Sequence, residues 1–330
     1  MIRCAFLFSL LFCFFAGLNA QTLAPGGPGK DAQWATAGKQ AVGTSVSLES
    51  KVWFTLAQGV MTEVYYPDVT VANVHLLQFM VLNTKTHKVE TEIDDSTGWI
   101  DPMYGQTLRF EQRNTAKSGE WEIRKTYFTD PTRNAIVLSV YFQAKSKDLK
   151  LFLYFDPSIN NSGMHDNGWV EKNILHSSDG DTALAVIAQG GFGGIMANGF
   201  LGVNDGLTQL RSKGEIVGYE KAANGNIVQV ADFAIRPKWD PKPRAWTMLV
   251  HIALGFGKSA ADARNVAADS LKESLLKNWN AYDKGWENFL KTIPKVDRKY
   301  QPQFNMAAMQ LKALEDKTAR GANIASLSIP

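Results

Sequence analysis

Apolar and polar side chains alternate along most of the chain between Trp34 and Phe256. In WEIRKTYF (121–128), Trp121, Ile123, Lys125 and Tyr127 fall on one face, and Glu122, Arg124, Thr126 and Phe128 on the other. Successive side chains of a strand point to opposite faces, so this pattern predicts a strand. AIVLSVYF (135–142) and DLKLFLYF (148–155) follow, separated by TDPTRN, AKSKD and DPSINNSG, whose Pro, Asn, Asp and Gly residues mark turns. KVWFTLA, MTEVYYP, HLLQFMVLNT and QTLRFEQR come before these runs; WVEKNILHSS, DTALAVIAQ, NIVQVADFAI and AWTMLVHIALGF come after. So many strands exceed one flat sheet. The expected fold is mainly β, a large antiparallel β-sandwich of two packed sheets. No repeat of propeller length is visible.

At Lys258 the period becomes helical. Residues 259–293 contain no proline and only Gly285, and Trp279, Tyr282, Trp286, Phe289 and Ile293 recur at threes and fours. That spacing gives one aromatic stripe. Ser259, three before Asp262, is a helix start signal, and Pro294 is a stop. A second helix is expected over Gln303–Thr318, with Phe304, Ala308, Leu311 and Leu314 on one face and Gly321 closing it. The expected organisation is a β-sandwich over 21–257, a helical linker over 258–299, and one further helix with a loop over 300–330. Nothing else in the chain is an obvious partner for the apolar face of that last helix. The Gly- and Pro-rich QTLAPGGPGKDAQ (21–33) is expected to be an extended lead-in.

Composition agrees with a folded globular protein: of 330 residues, 45% are hydrophobic and 20% charged. The net charge of +3 is too small and too evenly mixed to imply nucleic acid or an anionic membrane as partner. The first twenty residues differ from the rest. Arg3 is their only charge, CAFLFSLLFCFFAG follows, and Ala20 precedes Gln21. This is the pattern of a secretory signal peptide cleaved after Ala20, with an apolar run too short to span a bilayer comfortably. A periplasmic or secreted protein is expected, with no membrane attachment once the signal is removed. Both cysteines, Cys4 and Cys13, lie inside this segment, so no disulfide is expected in the mature chain.

Familiar catalytic patterns are missing from the sequence. The five histidines, His75, His87, His165, His176 and His251, form no H-x-x-x-H or similar pair, and neither a metal nor a cofactor is expected. DGD (179–181) and NDG (204–206) read as β-turns, and GGFGG (190–194), lacking a following Lys-Ser/Thr, reads as a bend. No G-x-S-x-G nucleophile elbow is present.

Several runs together resemble one family. APGGPG (24–29), Trp34, AVGTS (41–45), KVWFTLAQGVMTEVYYPDV (51–69), the linker helices and ALEDKTARGANIASLSIP (313–330) are similar to the bacterial glucoamylase and glucodextranase family, glycoside hydrolase family 15. The similarity covers essentially the whole mature chain; 51–69 and the closing run are its specific parts. It implies a galactose-mutarotase-like supersandwich, a helical linker, and then an (α/α)6 barrel that carries catalysis. In the family, the closing motif leads into a barrel loop whose Arg-Asp pair grips the terminal sugar. The resemblance therefore implies that residues 300–330 are the first helix and loop of a barrel whose remainder lies beyond Pro330.

An inverting glycosidase needs one carboxylic acid to protonate the leaving oxygen and one carboxylate to activate water. The family's two glutamates belong to the barrel, and no acid of this chain inherits their roles by motif. Glu63 and Asp68 carry no acid–base signature in their spacing and read as strand-end or interface acids. Trp53, Phe54, Tyr65, Tyr66, Trp99 and Tyr104 fall in or near the family-like segment. Trp53, Glu63, Tyr65, Tyr66 and Asp68 are the candidates for carbohydrate contact or a domain interface. For Trp53, Phe54 and Tyr65, core packing is the plainer reading. The expected function is a non-catalytic N-terminal domain of an exported α-glucan-active hydrolase, inactive alone. Its expected partners are an α-glucan or oligosaccharide and the missing barrel in cis. A free-standing carbohydrate-binding module and a mutarotase-type epimerase remain as alternatives.

Overall fold

The computed structural model describes residues 22–103 and 106–328. Residues 1–21, where the signal peptide is expected, together with Tyr104, Gly105 and the closing Ile329–Pro330, lie outside the described residues.

Two antiparallel sheets face each other. The first orders its strands β1 (Ala41–Gly43), β2 (Trp53–Ala57), β3 (Val60–Tyr65), β4 (Ala72–Asn83), β10 (Leu149–Pro157), β16 (Ile227–Phe233) and β14 (Phe192–Phe200), with β5 (Val89–Thr91) also paired to β4. The second runs β15 (Lys221–Gly225), β11 (Asp166–Glu171), β12 (Ile174–Asp179), β13 (Thr182–Ala188), β18 (Ala245–Gly257), β9 (Ala135–Ala144), β8 (Trp121–Thr129), β7 (Phe110–Ala116) and β6 (Ser96–Pro102). The short β17 (Lys238–Asp240) pairs with β18. This is the mainly β, two-sheet architecture that the alternation predicts.

The inward faces form one core, with Phe54, Phe79 and Phe155 from the first sheet meeting Ile123, Tyr127 and Val250 from the second. Lys125 shares that face by its place in the alternation and is fully buried. It pairs with the equally buried Glu92, which opens the short helix α1 (Glu92–Asp95), at 2.5 Å and donates to the Gly59 carbonyl at 2.7 Å. Glu92 also accepts from the Phe79 amide at 2.7 Å and from Asn114 Nδ2 at 2.6 Å. Burial opposes both charges, pushing the Glu92 carboxyl up and the Lys125 amine down from their usual values.

Helices cover the outer faces. Leu207 and Leu210 of α2 (Gly206–Lys213) sit on a second apolar cluster outside the first sheet, with Met80, Phe152 and Val228. On the second sheet, α3 (Ala260–Lys272) lies against β13 and β18 at backbone distance. A side chain at Gly255 would begin 2.4 Å from the Ala263 carbonyl oxygen, and Ala183, Ala185 and Ala263 complete the seam. Small residues are what permit a helix to come this close.

Several elements depart from the sequence pattern. WVEKNILHSS is not one strand: the chain reverses at Lys172 and Asn173, which carry φ of +50° and +62°, giving the β11–β12 hairpin. NDG is not a free turn but the start of α2, where Asp205 caps the amides of Leu207 and Thr208. The helical stretch starts as expected, with Ser259 accepting from the Asp262 amide, but it breaks at Glu273–Ser274. It resumes as α4 (Leu275–Leu290), which ends before Pro294. The last helix, α5, spans Gln301–Ala313 rather than reaching Thr318, and Gly321 lies in the loop beyond. Its buried face is Met309 and Ala313, with Met306 and Leu314 packed alongside, whereas Leu311 is 68% exposed. The expected stripe was offset because an aliphatic i+3 spacing also occurs on the outward face.

The strands define two ends. β4 runs from Ala72, beside the loop 66–71, to Asn83, which pairs with Leu149. Trp53 and Tyr65 sit at the first end, directly paired. Aromatic residues of α4 pack there as well: Tyr282 lies edge-on to Phe128, and Trp286 Nε1 donates to the Thr44 carbonyl at 3.0 Å.

Candidate functional site

The first end brings the segment 51–69 against residues 313–328. Trp53 is fully buried at the start of β2. The Lys317 Nζ lies 4.7 Å from its ring centroid and donates to Thr44 Oγ1 at 2.6 Å and to the Ser50 carbonyl. Burial pushes the Lys317 amine well below the usual lysine range. Next to it, the Asp316 carboxylate accepts from the Val69 amide at 3.2 Å, Thr318 at 2.7 Å and Ala319 at 2.5 Å. Burial works against that charge, but the three amides outweigh it and hold the carboxyl below its usual value. A bridge between Glu315 and Asn323 closes the loop, and Leu327 is buried beyond it. The Asp-Lys dipeptide thus fastens the tail to Val69 through the acid and to Thr44, Ser50 and Trp53 through the base.

The sequence candidates divide between core and surface. Trp53 and Phe54 are core; Phe54 lies 5.9 Å from Tyr127, ring to ring. Tyr65 is almost fully buried, and burial, with the Glu63 charge adding to it, pushes its phenol up. The Tyr66 ring lies 5.3 Å from that of Phe256, and its phenol is raised by burial and then by Asp262 and Asp181. Glu63 is buried and spent: it pairs with Lys39 and accepts from the Ala35 amide at 2.9 Å. Asp68 closes its own turn, accepting from the Thr70 amide at 2.9 Å and hydroxyl at 2.6 Å. Glu63 and Asp68 therefore do not form an acid–base pair. Trp99, half exposed on β6, stands apart beside Arg113.

Two clefts open where the tail meets this loop. One, of about 320 Å³, is lined by Asp68, Asp316, Thr318 and Asn323. The other, of about 310 Å³, is lined by Trp34, Tyr65, Asn161, Ser326 and Ser328. Val69, Thr70 and Ile324 belong to both, so they form a ridge between two halves of one groove. The lining is mainly hydroxyls, amides and apolar side chains, suited to contact and hydrogen bonding.

One titratable pair escaped the sequence reading. His75 Nδ1 and Asp156 Oδ2 lie 2.8 Å apart on β4 and β10. Burial lowers the affinity of His75 for a proton, but the Asp156 bond and charge outweigh it and raise its pKa. Nearby Asp166 is buried and, among the described residues, accepts only from the Ile159 amide, at 3.3 Å; its carboxyl is pushed up to about 8 by burial, with Asp179 and Asp156 adding. Only strand register joins these residues, and register is invisible in the local pattern. Among the described residues no group of three or more His, Cys, Asp or Glu could hold a metal ion, and no helix is long and apolar enough to cross a membrane.

Residues 24–291 match the family described as glucodextranase, domain N. A glucoamylase of Clostridium sp. (strain G0005) is 33% identical over 311 residues, covering 92% of this chain and 43% of that protein. A crystal structure of a bacterial glucoamylase complexed with acarbose matches with a TM-score of 0.86 at 34% identity, covering 94% of this chain and 45% of that one. The chain spans less than half the length of each.

Proposed function

Because the chain belongs to the glucodextranase N-domain family, we propose that it is the non-catalytic N-terminal domain of an exported hydrolase acting on α-glucan. In this reading 1–20 is the signal peptide, 21–257 the sandwich, 258–299 the linker, and 300–330 the first helix and loop of an (α/α)6 barrel supplied in cis. The protein works in the periplasm or outside the cell. The observation that carries the reading is the junction at Asp316 and Lys317. There the two most family-like runs, 51–69 and 313–328, are fastened to each other rather than to a reaction centre. Of the candidates, Tyr65 and Asp68 line the groove beside the tail and would face a barrel or its saccharide, with Trp53, Glu63 and Tyr66 supporting them from within. The glucoamylase structure with acarbose supports an oligosaccharide as the ligand of the whole enzyme.

The test is hydrolysis. The mature chain, incubated with maltose, starch or dextran, is expected to release no glucose above a buffer blank. Sustained release by the pure chain would overturn the non-catalytic assignment.

A further inference from the structure

The second end of the sandwich, where β4 finishes, carries an unassigned cleft. Its volume is about 370 Å³, within the range of small-ligand sites. Its apolar lining includes Leu149, Leu151 and Phe233 from the first sheet and Met248 from the second, all buried, so it is a recess between the two sheets. Its rim is cationic, with Lys147, Lys150 and Arg236. Lys150 and Arg236 are positioned on one fully buried carboxylate, Asp232, at 2.6 and 3.1 Å, and the Ile195 amide holds that carboxylate in turn at 2.9 Å.

The charge extends past the rim. Residues 144–150 hold Lys145, Lys147 and Lys150 against Asp148 alone, and residues 236–246 hold Arg236, Lys238, Lys242 and Arg244 against Asp240 alone. These two short segments are neighbours, since Trp246 pairs with Ala144. Their combined surplus exceeds the whole chain's net charge of +3. The even mixing seen along the sequence is therefore not even in space.

An aromatic pair adjoins the cleft. Trp239 and Trp246 are cross-strand partners with ring centroids 6.0 Å apart, edge to face, and Trp239 is 52% exposed. Trp246 and Met248 are two apart on β18, roughly 7 Å along the same face.

We propose that this end of the sandwich binds a saccharide chain bearing negatively charged substituents, whether carboxylate, phosphate or sulfate. A sugar ring stacks on the open indole of Trp239 while its anionic groups meet Lys147, Arg236 and their neighbours. Lys150 and Arg236 already share Asp232, but the remaining cations of the two segments give a positive surplus that a neutral glucan would not use. Apart from Trp239 the apolar side chains line a recess, which suits a saccharide chain better than a flat lipid surface. This site lies at the far end of β4 from the groove at Asp68.

The test is binding of the intact mature chain, by calorimetry, to dextran sulfate, phosphatidylglycerol vesicles and double-stranded DNA at equal charge, and to uncharged dextran at the same sugar concentration as the dextran sulfate. Dextran sulfate is expected to bind at least tenfold more tightly than the other three. Trp239→Ala, at an exposed position, is expected to weaken that binding about tenfold at both low and high salt. The double variant Lys147→Gln/Arg236→Gln is expected to lose mostly the salt-sensitive part. Equal binding of charged and uncharged dextran, tighter binding to vesicles or DNA, or an affinity unchanged by Trp239→Ala in a chain with native circular dichroism would each overturn the proposal.

Discussion

Replacing Asp316 by alanine tests whether the tail is held by the contacts described. The carboxylate takes the Val69 amide across the junction and the Thr318 and Ala319 amides within its own turn. Leaving a buried amide such as that of Val69 without a partner costs about 1–3 kcal/mol, and loss of the turn bonds adds roughly 0.5–1.5 kcal/mol. The tail should therefore dock about 1.5–4.5 kcal/mol more weakly, which is roughly a 10- to 1,600-fold rise in its opening equilibrium at about 1.4 kcal/mol per tenfold. Hydrogen exchange reads this directly, because local opening sets the rate. Amides of Val69 and of residues 315–324 are expected to exchange faster by that factor. Amides of β8 and β9, inside the sandwich core, are expected to change by less than about threefold. Asp316→Asn, which keeps an acceptor, should fall between the two. Equal acceleration in β8 and β9 would show that tail and sandwich open as one unit; unchanged exchange at Val69 would show that Asp316 does not hold the junction.

Other expectations concern the interior. Asp166 is raised to about 8 in the fold against 3.8 when free, so the folded state holds its proton more tightly. Its stability is then greatest below pH 3.8 and declines as pH rises toward 8. Asp166→Asn should raise the thermal midpoint at pH 8 and leave it unchanged at pH 3.5; a gain equal at both would refute the assignment. Lys125→Met strands Glu92 and should cost about 3–5 kcal/mol in urea unfolding, whereas adding Glu92→Gln should recover most of that loss. No recovery would mean that the ion pair is not what the single variant breaks.

Strands such as β7 and β8 were legible because a buried face repeats along them every second residue. Lys125 is the telling case: the alternation put a lysine inward, and the structure supplies Glu92 as its partner. The β11–β12 reversal was hidden because Lys172 and Asn173 turn without glycine or proline. The α2 start was read as a turn because Asp205 serves both roles equally well in local sequence. The candidate site was less legible than the fold. Tyr65 and Asp68 do line the groove, but Glu63 is taken up by Lys39 and Ala35, from an aperiodic arm whose docking leaves no periodic trace. His75 and Asp156 likewise meet only through register.

β4 also acts as a ruler. Its twelve residues, rising about 3.3 Å each, separate the groove at Asp68 from the cleft at Leu149 by about 36 Å. If both ends bind saccharide, a ligand shorter than that span would meet one end or the other, and the two encounters would remain independent. A polymer long enough to reach both would experience them as a tethered pair, the second contact occurring at the effective concentration set by the first. Chain length, rather than the strength of either contact, would then decide which molecules this sandwich retains.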